Sequence, residues 1–365
     1  MRKLNFLFII LWIFLGPTCP DIFSQKYKDV ASEHLLLRIP KERDSLGRRV
    51  ITELERFYRF LKGAINAELP DKIIFLVDWD LQESSTNYEG SSILVGMQQP
   101  ASNPSSLLLN ETKREMARLG LFQLSRGALR PDYEFMYEGM IEILVHEFDH
   151  TSRSLESAWA ISQFLDEMGL LGLESQRTWS DFSSNRRCMR SAAPGITFLL
   201  TLRDLEGRQS PAKFFEALRR ANLSRSLKDA FKEPAPELEK IWINKVRQYR
   251  APEEIIISEE EIPELIETIS VPDPVKPGDT LGLNLRFMDN GSVLLPDGVF
   301  LRDVRTGKLF QAQADIDPAS ESILCKIPVE ADCAPGEYGY QITAIDESGN
   351  LRRWMGGYKV AAIQE

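Results

Sequence analysis

The stretch RPDYEFMYEGMIEILVHEFDH (residues 130–150) predicts one helix, over residues 133–150. Met140, Leu144 and Phe148 recur at intervals of four and suit a face that packs on a core. A second stripe is polar, with the same spacing, and contains Glu138, Glu142, His146 and His150. Carboxylates one turn before imidazoles are typical of a solvated helix face.

The last five residues of this stretch, HEFDH, have the spacing of a zinc site. His146 and His150 share a helix face and can ligate Zn²⁺, while Glu147 would polarise a metal-bound water as general base. A third ligand would come from the following helix, where Glu167 and Glu174 are candidates. This pattern predicts an active zinc metallopeptidase as one of two alternatives.

Two features oppose the zinc interpretation. Asp149 places a charge inside the motif. The polar residues after His150 have no core periodicity, which indicates that the helix ends there. The sequence on both sides of the motif is therefore needed to distinguish a zinc site from a chance match to the zinc motif.

The first 25 residues predict an export signal. Arg2 and Lys3 precede FLFIILWIFL (residues 6–15), an unbroken apolar run of ten. Such a run rises ~15 Å as a helix, too little to cross a hydrocarbon core of ~30 Å. No later apolar run is long enough to span a membrane. The prediction is an exported protein, whether periplasmic, cell-surface or secreted, and Cys19 offers an alternative lipid anchor.

The net charge limits the class of partner, and the cysteines limit the possible disulfides. A net charge of −10 argues against nucleic acid as the main partner, because phosphate binding needs a basic face. Cys325 and Cys333 lie close together in a β-rich region and could pair in an oxidising compartment, which would leave Cys188 unpaired. Three unpaired thiols are the open alternative.

The hydrophobic pattern of the sequence changes near residue 250. Before it, helical periodicity predicts helices over 44–69, 107–127, 133–150, 155–169, 195–205, 211–221 and 235–249, with short strands at 72–80 and 91–98. The acidic segment 251–270 predicts a linker. Beyond it, six short apolar runs alternate with turns such as KPGD and DNGS, which predicts a β-sandwich over 271–365.

The sandwich resembles bacterial immunoglobulin-like modules, most clearly in PGEYGYQITAIDESGN (residues 335–350). The resemblance implies a spacer or an adhesion surface. The alternative is a sandwich that packs on its neighbour without a binding role.

The elements around the opening stretch resemble the peptidase MA-like family of gluzincin-type peptidases, over about residues 70–249. In that family an edge strand precedes the zinc helix, and a segment of the form P…W-x-x-E-G supplies a glutamate ligand. Here SSILVGMQ (residues 91–98) precedes SLLLNETKREMARLGLFQL (residues 106–124). Pro131, Glu138 and Gly139 then match the second segment, and Trp242 lies in the last matching helix.

When the sequence is aligned with this family, the helix at the position of the zinc helix lacks both histidine ligands. Asn110 stands at the first histidine and Arg114 at the second, while Glu111 keeps the glutamate. An amide is a feeble zinc ligand, and a guanidinium is a permanent cation that cannot ligate. The resemblance implies that Arg114 pairs with Glu111 or Glu138 in a metal-free cleft. Alternatively, Asn110 is simply the N-cap of a helix over 111–124.

Together these patterns predict an α+β, zincin-like, mainly helical domain with a small sheet over 26–250, then the linker and the immunoglobulin-like sandwich. The favoured function is a catalytically inactive module, without a cofactor, that binds protein or peptide at the cell envelope. HEFDH then falls on the glutamate-bearing helix by coincidence. The alternative function is a zinc metallopeptidase that uses this motif.

Overall fold

The computed structural model describes residues 26–81, 84–88, 91–97, 104–126, 134–151, 154–173, 189–257, 263–288, 294, 298–317, 322–346 and 349–362. The export-signal prediction, Glu174, Cys19 and Cys188 therefore lie outside the described residues. The chain forms two compact units, the first reaching Leu124 and the second beginning at Ser125.

The first unit is built on a five-stranded sheet with the order β1-β2-β3-β5-β4. The strands are β1 Tyr27–Ala31, β2 Leu35–Pro40, β3 Ile73–Asp78, β4 Ser85–Asn87 and β5 Ser92–Gly96. Strands β2, β3 and β5 run parallel, whereas β1 and β4 pair antiparallel at the two edges. Every second residue of β2 and β3 is fully buried, as expected for a sheet with one face on the core.

Two long helices, α1 Asp44–Ile65 and α2 Pro104–Ser125, accompany this sheet. Helix α1 buries Val50, Leu54, Phe57 and Leu61, the stripe that its spacing predicts. Its Gly47 lies so close to β1 and β2 that an added Cβ would meet side-chain carbons of both at 3.2 Å. The small residue therefore lets the helix approach the sheet.

In its described residues, the second unit begins with six helices. They are α3 Glu134–Asp149, α4 Ser154–Glu167, α5 Met189–Glu206, α6 Ser210–Ala217, α7 Leu223–Phe231 and α8 Ala235–Gln248. A buried polar network ties three of them together. The Thr197 hydroxyl of α5 lies 2.9 Å from Ser162 Oγ of α4 and accepts from Trp242 Nε1 of α8 at 3.0 Å. The network satisfies these buried groups, which would otherwise destabilise the core.

Helices α3 and α5 cross backbone against backbone at Gly139 and Gly195. A Cβ on Gly139 would lie 2.4 Å from the Gly195 carbonyl carbon, and a Cβ on Gly195 would clash with the Phe135 carbonyl oxygen. No side chain fits at this crossing. Gly139, which the sequence pattern matched to an E-G pair, is thus required by helix packing.

The C-terminal half of the second unit is an antiparallel β-region of two four-stranded sheets. One sheet has the order β10-β11-β7-β6 and the other β13-β12-β8-β9. The strands are β6 Glu264–Val271, β7 Thr280–Met288, β8 Val299–Asp303, β9 Leu309–Gln311, β10 Gln313–Asp317, β11 Ser322–Pro328, β12 Gly336–Ile345 and β13 Leu351–Val360. Both sheets contribute to one apolar core, in which Leu283, Cys325, Leu301 and Ile342 are buried.

Within the second unit, this β-region packs on the helices. The ring of Phe164 in α4 contacts that of Phe300 in β8, with centroids 4.7 Å apart. Ser157 of α4 donates to the Gly349 carbonyl, and Ile255 exchanges backbone hydrogen bonds with Leu351 of β13. The β-region and these helices therefore pack together, and the choice between a binding module and a sandwich without a binding role stays open.

The structure confirms a mixed α+β fold with a C-terminal antiparallel region. It differs from the sequence predictions in several elements. Strands β1, β2 and β4 and helix α7 were not predicted, and β6 begins within the segment expected to be a linker. The predicted edge strand at 91–98 is β5, which is paired on both sides, and the edge belongs to β4.

The polar stripe of α3 is the clearest correction in burial. Glu138 is 5% exposed and Glu142 is 6% exposed, so the predicted solvated face is wrong. All residues from Phe135 to Val145 are buried, so this stretch of the helix has no solvated face. Its end at Asp149 agrees with the predicted stop.

Candidate functional site

The HEFDH motif spans the C-terminal end of α3. His150 follows the helix with a left-handed φ of 56° and is exposed, whereas the His146 side chain is 14% exposed. Nδ1 of His146 lies 2.8 Å from the Thr151 hydroxyl. Its Nε2 is 3.4 Å from a Glu142 oxygen without hydrogen-bond geometry. The two imidazoles thus occupy different environments, one packed against its own helix and one in solvent.

Glu147, the residue expected to act as general base, is held by two arginines. Arg203 Nη1 binds its Oε1, and Arg208 Nη2 donates to its Oε2 at 3.1 Å. Guanidinium groups keep their charge at all relevant pH values and form strong charge-assisted hydrogen bonds with carboxylates. Both oxygens are therefore committed to protein partners.

The expected third ligand also has another partner. Glu167 is the last residue of α4 and binds Arg302 Nη2 of β8 at 2.6 Å. It lies thirteen residues from the start of α4, which is about 20 Å along a helix. In the described part of the chain, the motif is not among the groups of three close ligand atoms that could hold a metal ion. Because Glu174 lies outside the described residues, a zinc site at this motif stays a prediction.

The predicted degenerate site falls on α2 in the first unit. Glu111 is buried and accepts from Ser84 Oγ at 3.1 Å, and Arg114 Nη1 lies 3.9 Å from Glu111 Oε1. Asn110 is not an N-cap, because α2 begins six residues earlier at Pro104. Glu138 is buried in the second unit, and its convergence with Glu111 and Arg114 stays a prediction.

Polar contacts connect the edge strand β4 to α2. Thr86 Oγ1 of β4 donates to Glu115 Oε2 at 2.5 Å, and Glu115 Oε1 accepts from Arg118 Nε at 3.4 Å. Just beyond the strand, the ring of Tyr88 stacks on Phe122 of α2 with centroids 4.1 Å apart. These contacts fix a strand that pairs with β5 on one side and terminates the sheet on the other.

Sequence reasoning missed a cluster around the third histidine. His34 precedes β2, and its Nδ1 lies 2.6 Å from Oε1 of Glu55 on α1. Glu55 Oε2 accepts from Ser32 Oγ at 2.7 Å and from the His34 amide at 3.2 Å. Burial acts to raise the pKa of Glu55, but these hydrogen bonds outweigh burial and lower the pKa.

Two further side chains complete this cluster. Glu33 Oε1 lies 3.9 Å from His34 Nε2, while Glu33 Oε2 accepts from Arg59 Nη2 at 2.7 Å. Glu33, His34 and Glu55 are the one set of metal-type ligands within 4.8 Å of one another in the described ranges. Glu55 is 21 residues from His34, so no local motif could have indicated the contact.

The sequence matches no protein-family profile and no curated protein sequence. Among solved structures, a functionally unknown conserved protein from Bacillus anthracis str. Ames aligns with a TM-score of 0.40 and 12% identity, over 93% of this chain and 74% of its own. An alkylpurine DNA glycosylase from Pseudomonas fluorescens, bound to DNA with an abasic-site analogue, aligns with a TM-score of 0.20 and 11% identity, over 87% of this chain and 99% of its own. Likenesses this weak carry no argument about function.

Across the described helices, none combines the length and the apolar character needed to cross a bilayer.

Proposed function

We propose that this protein is an exported, catalytically inactive zincin-like module that binds an extended segment of protein or peptide. An immunoglobulin-like sandwich forms its C-terminal part. Export rests on the signal-like residues 1–25. The zincin-like assignment rests on the resemblance of residues 70–249, and the sandwich assignment is supported by two antiparallel sheets around one core.

The pairing of Glu147 with Arg203 and Arg208 is the observation that carries this proposal. A general base must be free to take a proton from water. Both oxygens of Glu147 are bound by guanidinium groups, so neither oxygen is free to do so. The ion pair instead ties the end of α3 to α5 and the loop after it.

An extended ligand would bind at the edge strand β4. Peptides can add to the outermost strand of a sheet as a further strand. The contacts from Ser84 and Thr86 to glutamates of α2 hold β4 in place. The predicted partner is therefore an extended protein or peptide segment, not nucleic acid.

The first test concerns catalysis. Full chain carrying His34→Gln, which leaves only the HEFDH histidines, should contain no stoichiometric zinc by elemental mass spectrometry. The wild-type chain should not hydrolyse a fluorogenic peptide library after one equivalent of ZnCl₂ is added. Glu147→Gln should lower the melting temperature, because it removes an anion from between two guanidinium groups. Glu206→Gln, an exposed carboxylate on α5, is the matched control with an unchanged melting temperature. Zinc-dependent hydrolysis that Glu147→Gln abolishes would show an active peptidase.

The second test concerns the ligand. Peptides selected from a twelve-residue phage library on the full chain are measured by fluorescence polarisation. Thr86→Pro should weaken binding at least ~10-fold, because proline removes a strand amide. Gln311→Pro, on the equally short edge strand β9, should leave binding unchanged. Peptides that bind both variants alike would place the ligand elsewhere.

A further inference from the structure

We infer that the connection between β1 and β2 binds a divalent transition metal through His34 Nε2 and the Glu33 carboxylate. The two ligand atoms, Nε2 and Glu33 Oε1, lie 3.9 Å apart. Two ligands at ~2.1 Å from a tetrahedral Zn²⁺ are separated by ~3.4 Å. The remaining ~0.5 Å is within reach of Glu33, because its side chain is 65% exposed and can rotate.

His34 is already oriented as a metal ligand. Glu55 accepts hydrogen bonds from Ser32 and from the His34 amide, so it acts as an acceptor for Nδ1 as well. The Nδ1 atom then carries the proton, which leaves the Nε2 lone pair for a metal. The ring also stacks on Tyr58, with centroids 4.4 Å apart and an angle of 16°, which limits its rotation.

Glu33 is oriented in the same manner. Arg59 holds its Oε2, which leaves Oε1 as the oxygen nearer to His34. Ligating histidines and carboxylates in metal sites are usually held by such outer partners. Here Glu55 supports the histidine and Arg59 supports the carboxylate, so both outer partners are present before any metal binds.

The ligand types select the class of metal. Imidazole suits Zn²⁺, Cu²⁺ and Ni²⁺, whereas Ca²⁺ and Mg²⁺ prefer sets of oxygen ligands. Two protein ligands leave the remaining positions to water. This site lies in the first unit and shares no residue with HEFDH or with β4, so it is independent of the proposed peptide binding.

The test is calorimetric titration of the full chain with ZnCl₂ after dialysis against a chelator. One equivalent should bind, and His34→Gln should abolish that binding. Glu33→Gln should weaken it at least ~10-fold, and Glu55→Gln should weaken it ~10–100-fold, as expected of an outer partner. Glu33→Gln also guards against a folding artefact, because this exposed side chain lies outside the core.

Three matched variants identify the bound site. Glu53→Gln changes a half-buried carboxylate of α1, and His146→Gln and His150→Gln change the other two histidines of the chain. All three should bind zinc like the wild type. Absence of zinc binding, or binding that survives His34→Gln, overturns the inference and leaves the proposed function untouched. Loss of zinc in His146→Gln or His150→Gln would contradict both.

Discussion

At the scale of single residues, the surroundings of a side chain decide its chemistry. HEFDH has the spacing of a zinc site, and that spacing is readable from the sequence alone. The two arginines that bind Glu147 lie 56 and 61 residues further along the chain. Sequence reasoning therefore finds the motif but misses these two ion pairs, because no local pattern reports a contact that tertiary folding creates.

Cys325 provides a prediction about pH dependence. Burial raises the pKa of its thiol to about 12, and both Cys325 and Cys333 are free. The reactive thiolate of Cys325 should therefore be scarce at pH 8. Alkylation by iodoacetamide should keep rising through pH 10, where an ordinary thiol with a pKa of about 8.5 has already levelled off. Peptide mass spectrometry measures this site by site.

The unfolded chain is the control for this measurement. In guanidinium chloride, Cys325 should react at the rate of an ordinary cysteine, because its burial is lost. Alkylation of native Cys325 that levels off near pH 9 would contradict the prediction. A disulfide between Cys325 and Cys333, detected as an unalkylated pair in the unfolded chain, would instead confirm the pairing that the sequence left open.

At the scale of elements, hydrophobic periodicity predicts long helices better than it predicts the short strands at the edges of a sheet. The bounds of α1, α3 and α8 agree with prediction within a few residues, because each carries a regular apolar pattern. The hairpin of β1 and β2 has no glycine, proline or asparagine at its turn, so no turn signal indicated it. Helix α7 was missed although Asn222 caps it, because it is only nine residues long.

The crossing of α3 and α5 gives a prediction at this scale. Gly139→Ala should destabilise the protein by at least ~1–3 kcal/mol, because its Cβ would overlap the backbone of Gly195 and one helix must move. Gly63→Ala is the matched control within α1, where an added Cβ meets nothing within 4 Å. It should stabilise by ~0.5–1 kcal/mol through helix propensity. Chemical unfolding measures both.

Equal effects of the two alanines would contradict this account of the crossing. An unchanged free energy of unfolding for Gly139→Ala would mean that α3 and α5 can move apart with little loss of stability. The variant should also leave the α2 side of the proposed peptide site unchanged, because its clash lies within the second unit.

At the scale of the whole molecule, the sequence indicates two architectures, one helical and one β-rich. It does not indicate that α4 and β8 share a buried contact. The apolar ring of Phe300 belongs to a strand in which four of five residues are buried, so the strand needs partners on both faces. Strand periodicity alone names no such partner, since a short apolar run does not identify the surface that covers it.

Phe300→Ala tests this coupling. The variant should lose ~3–5 kcal/mol, because a fully buried ring that contacts Phe164 is removed. Helical and β signals of the second unit should then shift together in thermal unfolding followed by circular dichroism. An unchanged helical transition beside a weakened β transition would show that the two parts unfold separately. Met355→Ala, exposed on β13, is the control and should shift neither.

The bond between Ile255 and Leu351 has a consequence for biosynthesis. Strand β13 is the last strand of the described chain, and it follows Gly349, whose carbonyl accepts from Ser157 on α4. Helix α4 thus awaits a partner that is synthesised 192 residues later. A ribosome that stalls before residue 349 would leave a nascent chain with uncovered aromatic surface, a ready substrate for chaperones and proteases.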